Sequence, residues 1–173
     1  MSEYILNPNG NLFGTVYYYI GHFSARIVWH SIFDGSPILE KELKSESSQI
    51  IRNFMEYCFN NYIPLDWKKH LLFLFWLGER ALNNKDIRAE ACTLSLASWS
   101  VDSYNNIEDR ALIILDIDSN LAYAALRPKK FNEDIKFLKM NFLAKDGVKY
   151  TSRIMYGFSD EDLVVNEWIP LND

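Results

Sequence analysis

Two carboxylates sit one residue apart in Leu115-Asp116-Ile117-Asp118, and paired acids are the simplest general acid–base device this chain offers. On a strand both would face the same side, two residues of rise apart. On a helix they would diverge by roughly 200°. Two acids with no third partner read first as solvated surface groups, so a hydrolase built on Asp116 and Asp118 is a secondary expectation. Glu79-Arg80, next to a very apolar helical stretch, is expected to form a partly buried ion pair with an architectural role.

Other chemistries lack their residues. No two of His22, His30 and His70 stand at the i, i+4 spacing that puts two ligands side by side on one helix face, and no Cys-x-x-Cys occurs, so no metal site is expected. No Gly-x-Ser-x-Gly appears, and the seven glycines are scattered singly, which leaves no phosphate-cradling loop and no cofactor to expect. Cys92 lies in Ala91-Cys92-Thr93-Leu94, the setting of a packed thiol. Cys58 has a similar context, and both fit free thiols in a reducing compartment. No catalytic residue is assigned, and the chain is read as a non-enzyme.

The elements that would position any site follow from pattern. The 173 residues are 49% apolar and 15% aromatic, enough for one globular domain over 1–173 with a real core. The start, Met1-Ser2-Glu3-Tyr4, carries no basic and apolar leader. The most apolar run, Leu71 to Leu77, is seven residues where a bilayer span takes about 20. A cytoplasmic location without membrane contact is expected.

From Leu12 to Phe33 the apolar spacing fits a helical face, although Gly14, Gly21 and the β-branched residues leave a pair of strands open. Ser45, Ser47 and Ser48 offer N-caps for a helix to about Asn61. A second helix runs from Pro64 to Leu82, where Asn83-Asn84 stops it, and Asp86 can cap a third to about Tyr104. Residues Ile107 to Leu126 can form a fourth, or a hairpin turning at Asp118-Ser119-Asn120. Beyond Pro128 the period changes to two. Leu138, Met140 and Phe142 alternate with polar residues. Lys145-Asp146-Gly147 is a turn, and Val148, Tyr150, Ile154, Tyr156 and Phe158 make an apolar face expected to lie on the helices. Leu163 to Ile169 is a candidate third strand. The expected fold class is α+β: a mainly helical body of antiparallel helical hairpins, closed by a C-terminal antiparallel β-hairpin or three-stranded sheet.

Charge is unevenly spread within a formal net of −5. Asp102–Asp118 holds five acids against Arg110. Arg127–Arg153 holds eight Lys/Arg against three Asp/Glu. Phe158–Asp173 holds five acids and no Lys or Arg. Acidic and basic segments of this kind usually neutralise one another as solvated faces. Read functionally, the acidic segments would receive a basic protein. Lys139, Lys145 and Lys149 would be nucleic-acid contacts, a reading opposed by the adjoining acidic stretch.

The acidic balance, the aromatic excess and the ending Val165-Asn166-Glu167-Trp168-Ile169-Pro170-Leu171 resemble bacterial immunity proteins, the small acidic antidotes of contact-dependent growth inhibition and polymorphic toxins. The resemblance implies no enzymatic activity and no cofactor. Its implied partner is a cognate toxin domain, often a nuclease with a basic cleft, with no direct nucleic-acid or membrane contact. The contact residues expected from charge and aromatic character are Asp102, Tyr104, Glu108, Asp109, Asp160, Glu161, Asp162, Glu167 and Trp168. The alternative is a small-molecule- or lipid-binding helical domain without catalysis, its pocket lined by Tyr17-Tyr18-Tyr19 or by Phe73, Phe75 and Trp76.

Overall fold

A computed structural model describes residues 24–43, 46–101, 110–128, 134–143, 150–159 and 163–171. The chain falls into two compact units, Met1–Ile63 and Pro64–Asp173, and each is taken by itself.

In the first unit, residues 24–33 are helical (α1). Ala25, Ile32 and Phe33 are buried, a spacing of seven and eight residues that returns to one helical face. The helix stops at Asp34-Gly35, and the chain re-enters a helix at once. Pro37 occupies the first position of α2 (Pro37–Leu43), where its fixed φ suits a helix start, and the Ser36 carbonyl accepts the Glu40 N–H at 2.9 Å. The third helix, α3 (Ser47–Asn60), buries Ile51, Phe54 and Cys58. Its first turn is not closed by a serine cap as expected. Glu46 stands at the cap position without a side-chain bond, and Ser47 instead accepts the indole N–H of Trp29 at 3.1 Å.

In the second unit, α4 (Lys69–Leu77) ends earlier than expected. Gly78 turns the backbone to φ 70°, a conformation that favours glycine, and a single turn follows as α5 (Glu79–Leu82). The long helix α6 (Lys85–Val101) is capped by Asn84, not Asp86: the Asn84 side-chain oxygen accepts the N–H groups of Asp86 at 3.0 Å and Ile87 at 3.3 Å. Asp86 thus sits in the first turn, where the helix dipole favours an acid.

Among the described residues the sheet has five antiparallel strands: β1 (Ala111–Asp116), β2 (Leu121–Leu126), β3 (Lys136–Asn141), β4 (Ile154–Ser159) and β5 (Ile169–Pro170). The order is β3-β2-β1-β4-β5. The fold class is α+β, as the alternating pattern required. Of the two readings of Ile107–Leu126, the hairpin holds over the described part. Leu112-Ile113-Ile114 suits a strand buried on both faces, and Asn120 takes the turn's left-handed position at φ 53°.

The Leu138 strand and the Ile154 strand, expected to pair as one hairpin, lie on opposite sides of β1–β2. The Asp146-Gly147 turn proposed between them lies outside the described residues. The apolar face expected to lie on the helices is divided between the two sides of the sheet. Tyr156 and Phe158 meet Trp67 and Trp99 on the helical side, with ring centroids 5.3 and 6.4 Å apart. Tyr150 meets Phe142 at 5.4 Å in a cluster on the other side with Ile113, Leu115, Ala124, Val165 and Trp168. Val148 lies outside the described residues.

Gly157 marks where the 163–168 segment crosses β4. A Cβ there would lie 2.2 Å from Val165 Cγ1 and 2.9 Å from the Glu167 carbonyl oxygen. Gly157→Ala is therefore expected to lower stability by about 1–3 kcal/mol through overpacking. Ile154→Asp, at a fully buried position, is expected to cost more, about 4 kcal/mol or above, by burying an unpaired charge. Urea denaturation of both variants checks the order.

Candidate functional site

Polar chemistry in the second unit concentrates where α6 meets the β1–β2 hairpin. Arg88 is a single arginine on the buried stripe of α6, among Ile87, Ala91, Cys92, Ser95 and Leu96. Its Nε lies 3.0 Å from both carboxylate oxygens of Asp116. Its two terminal nitrogens donate to the Leu82 carbonyl and, at 2.8 Å, to Ser119 Oγ. The Ser119 N–H returns to Asp116 Oδ1 at 3.2 Å. The Arg88 side chain is 5% exposed and that of Asp116 is 0%. One guanidinium thus fastens the end of α5, the body of α6 and the hairpin turn.

This clasp removes the acid–base pair considered from sequence. Asp116 is enclosed and fully bonded, whereas Asp118 points outward to Arg153 at 3.5 Å. Arg153 also takes Glu79 at 3.2 Å and Asn83 Oδ1 at 2.9 Å. The two carboxylates belong to two separate ion pairs, and Glu79 pairs with Arg153 rather than with Arg80.

Cys92 and Tyr123 border the clasp. Burial, and then the negative charge of Asp116, push the Cys92 thiol above its ordinary range. Burial, followed by Cys92 and Asp116, pushes the Tyr123 hydroxyl up to about 12. Cys58, in the first unit, is raised by burial to about 11. All three groups are neutral near pH 7, the state of inert packed side chains.

Tyr123 also carries the clasp outward to an open strand. Lys139 of β3, its register partner, holds its ammonium 5.5 Å from the Tyr123 ring centroid, within cation–π range. Every residue of β3 is exposed, including Phe137 at 51%, Leu138 at 41% and Met140 at 37%. The Phe142 N–H donates to the Asn120 carbonyl at 2.8 Å. By strand alternation, Met140, Leu138 and Lys136 therefore bond inward to β2, while the N–H and C=O groups of Phe137, Lys139 and Asn141 point to the open edge. Among the described residues β3 has a strand neighbour on one side alone.

The proposed contact residues do not assemble into a described surface. Asp102, Tyr104, Glu108, Asp109, Asp160, Glu161 and Asp162 lie outside the described residues. Glu167 is exposed. Trp168 is half-buried and packs on the cluster of Ile113 and Leu115, so core packing accounts for it.

Residues 16–136 match the sequence model of a family described as methanobactin biosynthesis cassette protein MbnC-like. The chain belongs to the MbnC-like family. No curated protein matches it. Membership overturns the likeness to immunity proteins, and with it the toxin-inhibitor reading and the toxin partner. An acidic balance and a Glu-Trp ending are features that unrelated proteins share. The expectation of a non-enzyme is overturned too, because the MbnC-like family is described by its place in a biosynthesis cassette. The alternative of a non-catalytic small-molecule or lipid binder gains nothing from this family. No described helix is long and apolar enough to cross a membrane.

Sequence reasoning passed over Arg88. The signal available was its place on the apolar stripe of α6, where a lone arginine needs a partner. Asp116→Asn is expected to destabilise by about 3–5 kcal/mol, since it strands a buried guanidinium. The double replacement Arg88→Met with Asp116→Leu should cost clearly less than the two single changes together, measured as a double-mutant cycle in urea. Because Tyr123 is held neutral by the fold, its contribution is complete below its unfolded value of about 10. It is expected to disappear as pH rises through about 12, and Tyr123→Phe should flatten that alkaline loss.

Proposed function

We propose that this MbnC-like chain acts in the biosynthetic chemistry of methanobactin as the part that grips an extended polypeptide, which adds to the sheet as a strand alongside β3. The observation that carries this reading is the open edge of β3, where three consecutive outward positions, Phe137, Lys139 and Asn141, present backbone donors and acceptors to a sixth strand. Strand addition draws its affinity from such main-chain bonds and its selectivity from alternate side chains.

Charge selects the occupant. Two copies of β3 paired antiparallel about Lys139 would set one ammonium against the other, and like charges directly opposite are destabilising. A strand with an acid opposite Lys139 is favoured, with Tyr123 supporting the lysine from beneath. Phe137 on one face of the sheet and Leu138 and Met140 on the other ask for apolar neighbours above and below. The occupant is thus an extended segment with a central acid and apolar flanks. Placing such a segment in the biosynthetic pathway rests on the family's description.

Lys139→Pro tests this directly. Its N–H points to the open edge, so proline there leaves the β2–β3 ladder intact and blocks the added strand. The expected result is a melting temperature close to that of the unmodified protein, with product formation in a reconstituted methanobactin biosynthesis reduced at least about tenfold. Leu138→Pro, which removes an inward bond, should instead destabilise the sheet. Full product formation by a well-folded Lys139→Pro variant would overturn the reading.

A further inference from the structure

In the first unit, α3 ends with two aromatic rings in water. Phe59 is 82% exposed and Tyr62 is 94% exposed. Tyr62 also holds φ at 55°, a left-handed conformation that is unfavourable for a residue with a Cβ. The helix end is closed by backbone bonds alone. The Tyr62 N–H reaches the Phe59 carbonyl at 3.3 Å, and the Ile63 N–H reaches the Cys58 carbonyl at 2.8 Å. This is the ending in which glycine is the usual left-handed residue. Glycine at position 62 would make the same bonds without the strain, so the tyrosine ring is retained at a cost that the helix end itself does not require.

The surroundings of the two rings are electronegative. Glu56, exposed, stands three residues before Phe59 and hence on the same side of the helix. The 14-residue helix has no basic residue in its last turn, so the partial negative charge at its C-terminus is not offset there. Asn61 gives its Nδ2 to the Tyr57 carbonyl at 2.8 Å, which leaves its side-chain oxygen as an acceptor. From Asn53 to Ile63 the chain has one acid and no Lys, Arg or His, and Arg52, two turns before Phe59, has a partner of its own. Aromatic faces beside negative charge attract a cation, and a planar guanidinium both stacks on such rings and donates to the acceptors around them.

We infer that the end of α3 is a docking surface for a polypeptide segment that presents an arginine next to an apolar side chain. The guanidinium lies against Phe59 and Tyr62 beside Glu56, and the apolar neighbour covers what remains of the two rings. Arginine and exposed aromatic rings are the pair on which such contacts most often depend. The surface lies wholly within the first unit and uses no residue of the sheet, so it does not depend on the β3 reading.

The test uses the full chain and calorimetric titration with two probes: a blocked peptide of alternating leucine and arginine, and the same peptide with neutral citrulline in place of each arginine. The arginine peptide is expected to bind at least about tenfold tighter than the citrulline peptide. Phe59→Ala and Glu56→Gln change exposed side chains, so both should keep the melting temperature while weakening that binding about fivefold or more. Tyr62→Gly should weaken binding similarly and at the same time raise the melting temperature by about 2–4 °C, because it relieves the left-handed strain. A ring held for the fold would give the opposite thermal shift. Equal binding of the two peptides, no binding of the arginine peptide at about 1 mM, undiminished binding by well-folded Phe59→Ala and Tyr62→Gly, or a lowered melting temperature for Tyr62→Gly would each overturn the inference. Lys139→Pro should leave this binding unchanged, which separates failure of the α3 surface from failure of the strand.

Discussion

The buried pair of Arg88 and Asp116 is the contact on which the geometry of the second unit turns. Taking a guanidinium and a carboxylate out of water is costly, and the cost is offset only when both are saturated with well-aligned partners. Here Arg88 meets the carboxylate, a backbone carbonyl and a hydroxyl, while the backbone of Ser119 returns a bond to the acid. Each partner comes from a different element. Shifting α6 by one turn along the sheet would leave all of these groups buried and unpaired, so the pair sets the register of the helix on the hairpin as well as holding it there.

That register reaches the outer strand. Asp116 and Tyr123 point to the helical side of the sheet, and Tyr123 stands directly beneath Lys139. With β1 fixed by the clasp, β2 follows through its ladder, and β3 follows β2 with its outward bonds at Phe137, Lys139 and Asn141. The sheet is buried on both faces at its centre, by Trp67 and Trp99 on one side and by Trp168 and its neighbours on the other. It loses that cover toward β3. Exposed edge strands invite pairing and are commonly protected by charge. Lysines at 136 and 139 discourage self-association while leaving the edge open to an acidic strand.

Much of the helical part was legible because its signals are local. The apolar spacing of Ile51, Phe54 and Cys58, the stripe on α6 and the Asn-Asn break between helices all lie within a few turns of the chain. The α+β division was legible from the change of period. The pairing of strands was not. Asp146-Gly147 is a strong local hairpin signal, but β1 and β2 compete for the same edges through contacts far apart in sequence, and they separate β3 from β4. The apolar stripe of α6 signals that Arg88 needs a buried partner, but the stripe does not identify that partner, because the acid lies 28 residues away.

The charge map misled for a physical reason of its own. Net charge summed along a segment treats every side chain as exposed, yet Asp116 is enclosed by Arg88 and Asp118 is engaged by Arg153. Asp116 is thus an internal fastener, and the charge of the outward-pointing Asp118 is offset by the arginine beside it. The nucleic-acid reading of the basic segment rests on the charge of its lysines, Lys139 among them. Once Lys136 and Lys139 are placed on an open edge with Phe137, Leu138 and Met140 between and beside them, their field is only part of what they offer. A phosphate backbone would use the ammonium groups alone. An extended polypeptide uses the ammonium groups, the apolar side chains and the unpaired backbone together, and the β3 edge presents all three within six residues.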